Sequence, residues 1–190
     1  MRIELIVSGG QTGADRGGLD AALYCGIPHG GWCPKGRKAE DGLIPAKYLL
    51  RELETANDLD RAEANVVDSD ATVIFTEQGI AGGSLRTLEF CREHAKPWHH
   101  VALANSRRET AVKEIVAWLA GDPAFNDYEF YDTRPPASGI LNVTGSRESK
   151  APGIADAVKR IIVAVLIAVN PACREFYPLS KPDRLGSPHG

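Results

Sequence analysis

The chain has 190 residues, a net charge of −3 and an apolar content of 43%. This length and composition fit one domain with a full hydrophobic core, which we place at residues 1–170, followed by a polar, proline-containing tail at 171–190. The charge balance argues against nucleic-acid binding, and with no charged leader and no apolar run long enough for a bilayer we expect a soluble cytoplasmic protein without a membrane partner.

The first predicted elements are a buried strand at residues 3–7, a glycine-rich turn and a helix. Glycines in such a turn let a ligand approach the backbone, and the helix start supplies free N–H groups, so the turn predicts a phosphate site. The alternative is that the glycines serve only a tight connection. The spacing is GGxxG and not the dinucleotide pattern GxGxxG, which argues against a plain dehydrogenase. The candidate ligand-binding residues are Gly9, Gly10, Gln11, Thr12 and Gly13.

Asp15 lies in the first turn of this helix, where an acidic side chain favours the helix dipole. Its carboxylate could also reach a ribose hydroxyl or a metal ion such as Mg²⁺. A second strand at residues 29–33 would bring Lys35 and Arg37 to the same sheet edge, where they could meet a phosphate. A solvated turn is the alternative for this basic pair.

A helix at 58–67 and a buried strand at 70–76 precede a second glycine turn. Ser84 is the predicted N-cap of the helix that follows, and its donors would join the same crevice. Glu89, one turn into this helix, either faces the crevice or is exposed at the surface. The candidate ligand-binding residues here are Gly82, Gly83, Ser84, Arg86 and Thr87.

The remaining pattern predicts a strand at 98–102, a helix that begins at the capping box Ser106–Glu109, and a loop at 122–138 with Tyr128, Phe130 and Tyr131. A fifth strand at 140–143 leads to Arg147 and Ser149, which could bind an anion. An apolar helix then runs to Val169, and its apolar excess suggests burial against a second copy of the chain, a homo-oligomer.

Strands that alternate with helices predict a three-layer α/β/α Rossmann-like domain with a mainly parallel five-stranded sheet. We expect the strand order 2-1-3-4-5, because it places the first and third strands together at the point where ligands bind. The four cysteines show no CxxC spacing. We therefore expect reduced, buried thiols and no metal site built from protein side chains.

Five motifs in order, SGGQTGADRGGLDAA, CPKGR-AEDG-IP, NVVDSDATVIF, GGSLRTLEF and LNVTGSRES-APGI, resemble the molybdenum carrier family. That family is similar to the wider SLOG group of Rossmann-like nucleotide binders, which includes the lonely-guy phosphoribohydrolases. The resemblance implies a bound phosphate and a flat ring, either molybdenum cofactor or a nucleotide derivative. It also implies phosphate loops at Gly9 to Gly13 and at Gly82 to Thr87.

The leading hypothesis is therefore a carrier or sensor that binds a phosphorylated ring compound. The alternative is an N-glycosidic phosphoribohydrolase acting on nucleoside monophosphates, with Asp15 and Glu89 as its catalytic carboxylates. The lonely-guy enzymes carry PGGxGTxxE at the second turn, whereas this chain has Ala81 in place of the proline and Leu85-Arg86 before the threonine. This departure weakens the hydrolase alternative.

Overall fold

A computed structural model of the chain describes residues 2–122, 138–170 and Cys173. The strands are β1 (Arg2–Val7), β2 (His29–Gly30), β3 (Trp32–Cys33), β4 (Lys38–Ala39), β5 (Gly42–Leu43), β6 (Arg51–Glu52), β7 (Ala71–Thr76), β8 (Trp98–Ala102) and β9 (Ser138–Gly145). The helices are α1 (Ala14–Cys25), α2 (Asp58–Val67), α3 (Gly82–Glu93), α4 (Arg108–Leu119) and α5 (Ile154–Val169). None of these helices has the length and apolar content needed to cross a membrane.

The main sheet has five parallel strands in the order β2-β1-β9-β7-β8. The predicted order 2-1-3-4-5 is therefore wrong, because the last strand lies between the first and the third. Leu141, Asn142 and Val143 of β9 are all buried, and because successive side chains of a strand point to opposite faces, β9 is covered on both faces as a central strand requires. Most residues of the edge strand β8 are partly exposed. The loop after β9 consequently lies between the loops that follow β1 and β7.

Helices cover the sheet on both faces, which confirms the predicted three-layer α/β/α fold. Helix α5 packs between α1 and α4, while α2 packs on α3. Gly17 and Gly18 allow α1 to pack closely, since a Cβ on Gly17 would lie 2.6 Å from the Ala155 carbonyl oxygen and one on Gly18 would lie 2.6 Å from the Val143 side chain. Close packing thus compensates for two glycines within a helix.

The apolar surface of α5 is covered within the chain. Six apolar residues along the helix are buried, and α1 and α4 both contact it. The apolar excess therefore no longer argues for a second copy of the chain, and a homo-oligomer stays a prediction. The six residues are Ile154, Val158, Ile161, Ile162, Val165 and Leu166.

Between β1 and α2 the chain differs from the single predicted strand at 29–33. Gly31 has φ +120°, and its turn divides this stretch into β2, which joins the main sheet, and β3, which pairs with β6. β4 and β5 form a short antiparallel hairpin. The predicted capping box at the start of α4 is also absent, because the N-cap residue is Arg107 and no side chain caps the helix.

Two predictions concern residues that the structure does not describe. The aromatic cluster of Tyr128, Phe130 and Tyr131 lies outside the described ranges, and so does the tail at 171–190 apart from Cys173. The domain boundary at 170 stays a prediction.

Candidate functional site

A cavity of about 510 Å³ opens at the carboxyl ends of β7 and β9. Its volume is in the range typical of small-molecule sites. The wall consists of the loops that follow these two strands and the first turns of α2 and α3, with Gln11 and Asp15 contributed by the segment after β1. The cavity therefore lies at the edge of the sheet where parallel α/β folds bind ligands.

The second glycine turn is open to this cavity. Gly79, Gly82 and Gly83 line it, and a Cβ built on any of the three would have no other atom within 4 Å. Helix α3 begins at Gly82, and its N-cap is Ala81, which has no side chain able to cap; Ser84, the predicted N-cap, lies inside the helix. Because no acidic residue occupies the first turn either, the first N–H groups are available to an anion.

Two further predicted residues of α3 also line the cavity. Ser84 and Thr87 are both nearly buried and both contribute to its wall. The Thr87 hydroxyl donates to the Gly83 carbonyl oxygen at 3.1 Å, so it stiffens the first turn of the helix. The Ser84 hydroxyl remains a polar group at the cavity wall.

The first glycine turn is closed by the protein itself. Three N–H groups of this segment already have partners: that of Gln11 donates to Asp15, that of Thr12 to the Gln11 side chain and that of Ala14 to the Ser146 carbonyl oxygen, at 3.3, 3.0 and 3.1 Å. Packing explains all of its glycines. A Cβ on Gly9 would overlap the Arg61 guanidinium, one on Gly10 would lie 2.6 Å from Leu50, and one on Gly13 would overlap the Ser146 carbonyl oxygen. Gly9, Gly10, Thr12 and Gly13 do not line the cavity.

Asp15 and Arg61 form a buried ion pair in the cavity wall. The Arg61 Nη1 donates to Asp15 Oδ2 at 2.8 Å, and the two side chains are 9% and 3% exposed. Burial raises the pKa of the Asp15 carboxyl, and the charge of Arg61 and a hydrogen bond with Thr144 oppose that rise. The sequence indicated Asp15 but not Arg61, because an arginine in a polar helix is ordinarily exposed.

In the segment after β9, one predicted residue lines the cavity and another contacts Glu40 outside it. Arg147 lines the cavity and pairs with Asp58 at 2.6 Å. Ser149 does not line it, because its hydroxyl and its N–H donate to the Glu40 carboxylate at 2.5 and 3.1 Å. The Thr12 hydroxyl donates to the same carboxylate. Glu40 therefore joins two predicted anion-binding residues and occupies their donors.

The other predicted residues lie away from the cavity wall. Arg37 donates to the carbonyl oxygens of Tyr48 and Leu50 at 3.0 and 3.2 Å and so holds the segment before β6, while Lys35 is exposed beside Glu54. Arg86 pairs with Glu89 at 2.9 Å, and also with Glu93. The Glu89 side chain is 43% exposed, so the structure brings Asp15, but not Glu89, to the cavity.

Residues 6–166 match the family described as the circularly permutated YpsA SLOG family. The chain belongs to this family. It is also similar to a crystal structure from Syntrophus aciditrophicus SB named "Putative molybdenum carrier protein", with 38% identity, a TM-score of 0.73, and coverage of 87% of this chain and 95% of that one. No curated protein matches the chain. The predicted SLOG membership is thereby confirmed.

The wall of the cavity also includes a basic side chain that the sequence analysis did not identify. Lys150 lines it and, within the described part of the chain, has no ion pair. Arg147 and Arg61 each face a carboxylate, so Lys150 is the cation whose charge is not already offset. Lys150 lies in a turn, three residues after Arg147, so no helical or strand periodicity in the sequence indicated which way its side chain points.

The described residues of this SLOG-family chain hold no group of three or more His, Cys, Asp or Glu side chains that could bind a metal ion. All four cysteines are free and buried. Burial raises the pKa of the Cys25 and Cys91 thiols to about 11, which makes thiolate ligation unfavourable at neutral pH.

Proposed function

We propose that this SLOG-family chain binds a phosphate-bearing ring compound, molybdenum cofactor or a nucleotide derivative, in the cavity at the ends of β7 and β9. The observation that carries the proposal is the uncapped start of α3, whose open glycines allow a phosphate to reach the backbone N–H groups. Arg147 and Lys150 add cationic side chains at the same cavity. The packed first turn contributes Gln11 and Asp15 as polar groups.

The cavity also has an apolar side suited to a flat ring. Leu59 and Ala62 of α2 line it, and Leu59 is 42% exposed although it is a large apolar residue. An apolar surface beside a phosphate site is the combination that a nucleotide or a phosphorylated pterin requires. The cavity volume of about 510 Å³ accommodates a ligand of that size.

The name of the Syntrophus protein supports molybdenum cofactor as one of the two ligand classes. Molybdenum cofactor is a pterin that bears a phosphate, so it needs the same two features as a nucleotide. In this proposal the pterin ligand itself carries the metal, and Mg²⁺ could accompany a phosphate.

Ligand identification tests the proposal directly. Purified protein is denatured, the released small molecules are analysed by mass spectrometry, and the ligand-free protein is then titrated calorimetrically with AMP and with adenosine. We expect a phosphorylated ring compound in the released fraction, and binding of AMP well below millimolar with weaker binding of adenosine. No released ligand, together with no phosphate compound bound below millimolar, would contradict the proposal.

The geometry favours binding over the alternative hydrolase. N-glycosidic cleavage would use Asp15 and Glu89 at the ligand, but Glu89 pairs with Arg86 away from the cavity wall. We therefore expect no adenine when the protein is incubated with AMP. Release of adenine that Glu89→Ala abolishes would restore the enzymatic interpretation.

A further inference from the structure

We infer that Arg61 binds the anionic group of the ligand together with the start of α3, and that Gly9 and Asp15 position its guanidinium for that purpose. This inference rests on the proposed function, because it concerns the same cavity. It assigns the anion contact to a helix α2 side chain that belongs to neither glycine turn. The ligand group that it favours is a phosphate monoester.

The first step is that the guanidinium of Arg61 is incompletely bonded. Arg61 is 8% exposed, and a guanidinium carries five N–H donors. Within the described residues, Nη1 donates to Asp15, Nη2 lies 4.0 Å from Asp58 and Nε has no hydrogen-bond partner. Buried polar groups in folded proteins are almost always bonded, so a set of unused donors in a cavity wall indicates a missing acceptor.

The second step is that the surrounding residues hold this guanidinium in place. The absence of a side chain on Gly9 leaves the space that the guanidinium fills. Asp15 is itself fixed, because it accepts from the Gln11 N–H at 3.3 Å while it bonds Arg61. A charged side chain whose partners are buried and hydrogen-bonded is already held in one conformation. It can therefore bind a ligand with little further loss of side-chain conformational entropy.

The third step concerns the charge of the acceptor. The cavity wall carries Arg61, Arg147 and Lys150 against Asp15 and Asp58, which leaves one net positive charge. The N–H groups at the start of α3 face the same cavity and add the positive end of a helix dipole. A phosphate monoester offers more free oxygens than a diester, so it can meet α3, Arg61 and Lys150 together.

A purely structural role for the Asp15–Arg61 pair makes a different prediction. A structural pair would affect unfolding but leave the affinity for phosphate unchanged. An anion-binding arginine would affect affinity in protein that remains folded. The two roles are separated by calorimetric titration with AMP, adenosine and inorganic phosphate, after circular dichroism has shown that each variant is folded.

Arg61→Met removes the guanidinium and keeps only an unbranched stem, but it leaves Asp15 buried without its partner, which can unfold a protein. The double variant Asp15→Asn with Arg61→Met removes both charges and so leaves no unpaired buried charge. Arg16→Met is the matched control, because Arg16 is 15% exposed, pairs with Asp41 and does not line the cavity. We expect the double variant to bind AMP and inorganic phosphate about tenfold or more weakly, with a clearly smaller change for adenosine and with Arg16→Met like the wild type.

The outcomes distinguish the inference from the proposed function. AMP binding that is equal in the wild type and the double variant would overturn the role of Arg61 and leave the proposed function standing. Inorganic phosphate that binds the wild type and not the double variant, with no binding of AMP, would support Arg61 and contradict an AMP-like nucleotide as the ligand. No binding of either compound to the wild type, together with no phosphorylated compound among the small molecules released from it, would overturn both.

Discussion

The two glycine turns look alike in the sequence and differ in the folded protein. The turn after β1 contains Gly9, Gly10 and Gly13, and polypeptide fills the space beside each of them. The turn before α3 contains Gly79, Gly82 and Gly83, and each of these faces open space. Glycine permits close approach in both turns, but in the first the approaching group is the protein itself.

The starts of the two helices show the same contrast. Helix α1 has Asp15 in its first turn, and that carboxylate accepts from the Gln11 N–H. Helix α3 has neither an acidic residue in its first turn nor a capping side chain. A carboxylate of the protein at the helix N-terminus already uses its N–H groups and offsets its dipole, so fewer donors remain for an anionic ligand. The lack of Asp and Glu in the first turn therefore indicates an anion site better than the glycines do, since both turns contain glycines.

Among the substitutions that test the contrast between the packed and the open glycine turn, Gly13→Ala should have the largest effect on stability. Gly13→Ala places a side chain at φ +81° and against the Ser146 carbonyl oxygen, so we expect a loss of about 3 kcal/mol or more in the free energy of unfolding. Urea denaturation measures it. Gly26→Ala is the uncrowded reference, because Gly26 has nothing within 4 Å and lies at φ +64° and ψ 23°, where a side chain should cost only about 1–2 kcal/mol, whereas Gly13 has ψ −131°. Equal costs at the two positions would show that the first turn is not tightly packed.

Gly83→Ala should have the opposite effect: it should leave the free energy of unfolding nearly unchanged and weaken ligand binding. A Cβ at Gly83 meets nothing within 4 Å and lies in a helix, so we expect stability to stay within about 1 kcal/mol of the wild type. The added methyl group would occupy the space of an approaching phosphate, and we expect the affinity for AMP to fall about tenfold, or about 1.4 kcal/mol. Calorimetric titration checks this, and unchanged affinity would remove the α3 turn from the proposed site.

Lys150→Met should produce a smaller loss of affinity at the same turn. Lys150 is exposed, so its attraction for a phosphate is screened by water and salt, and we expect AMP to bind about two- to fivefold more weakly. The dependence of the affinity on ionic strength should also become weaker in the variant. Titration at two salt concentrations measures both, and an unchanged salt dependence would place Lys150 outside the site.

The fold was largely predictable because it depends on patterns that are local in sequence. The apolar strands at 3–7 and 70–76, the helix at 58–67 and the apolar helix that ends at Val169 all match elements of the structure. The strand order was not predictable from local patterns. Residues 140–143 form only a short run rich in apolar residues, and such a run does not show whether the strand lies in the centre of the sheet or at its edge. β9 lies centrally because it pairs with both β1 and β7.

The site was less predictable because contacts between distant segments decide which turn is open. Arg61 fills the space beside Gly9 although the two are far apart in sequence, and Glu40 reaches Ser149 across 109 positions. The α3 residues Gly82, Gly83, Ser84 and Thr87 were predictable, since the signal there is a local strand, glycine turn and helix start. Their role in binding stays a prediction.

The smallest expected effect concerns the contact that closes the first turn. Burial alone would raise the pKa of the Glu40 carboxyl, but hydrogen bonds from Ser149 and Thr12 hold it below its ordinary value of 4.5. Because the folded-state pKa is lowered, the stabilising contribution is complete above pH 4.5 and is lost as pH falls through the folded-state pKa. Glu40→Gln cannot ionise and is the reference variant. We expect the difference in urea midpoint between wild type and variant to be constant above about pH 5 and to shrink below about pH 4, since every other carboxylate is common to both. A difference that does not change with pH would mean that the Glu40 charge plays no part in closing the turn.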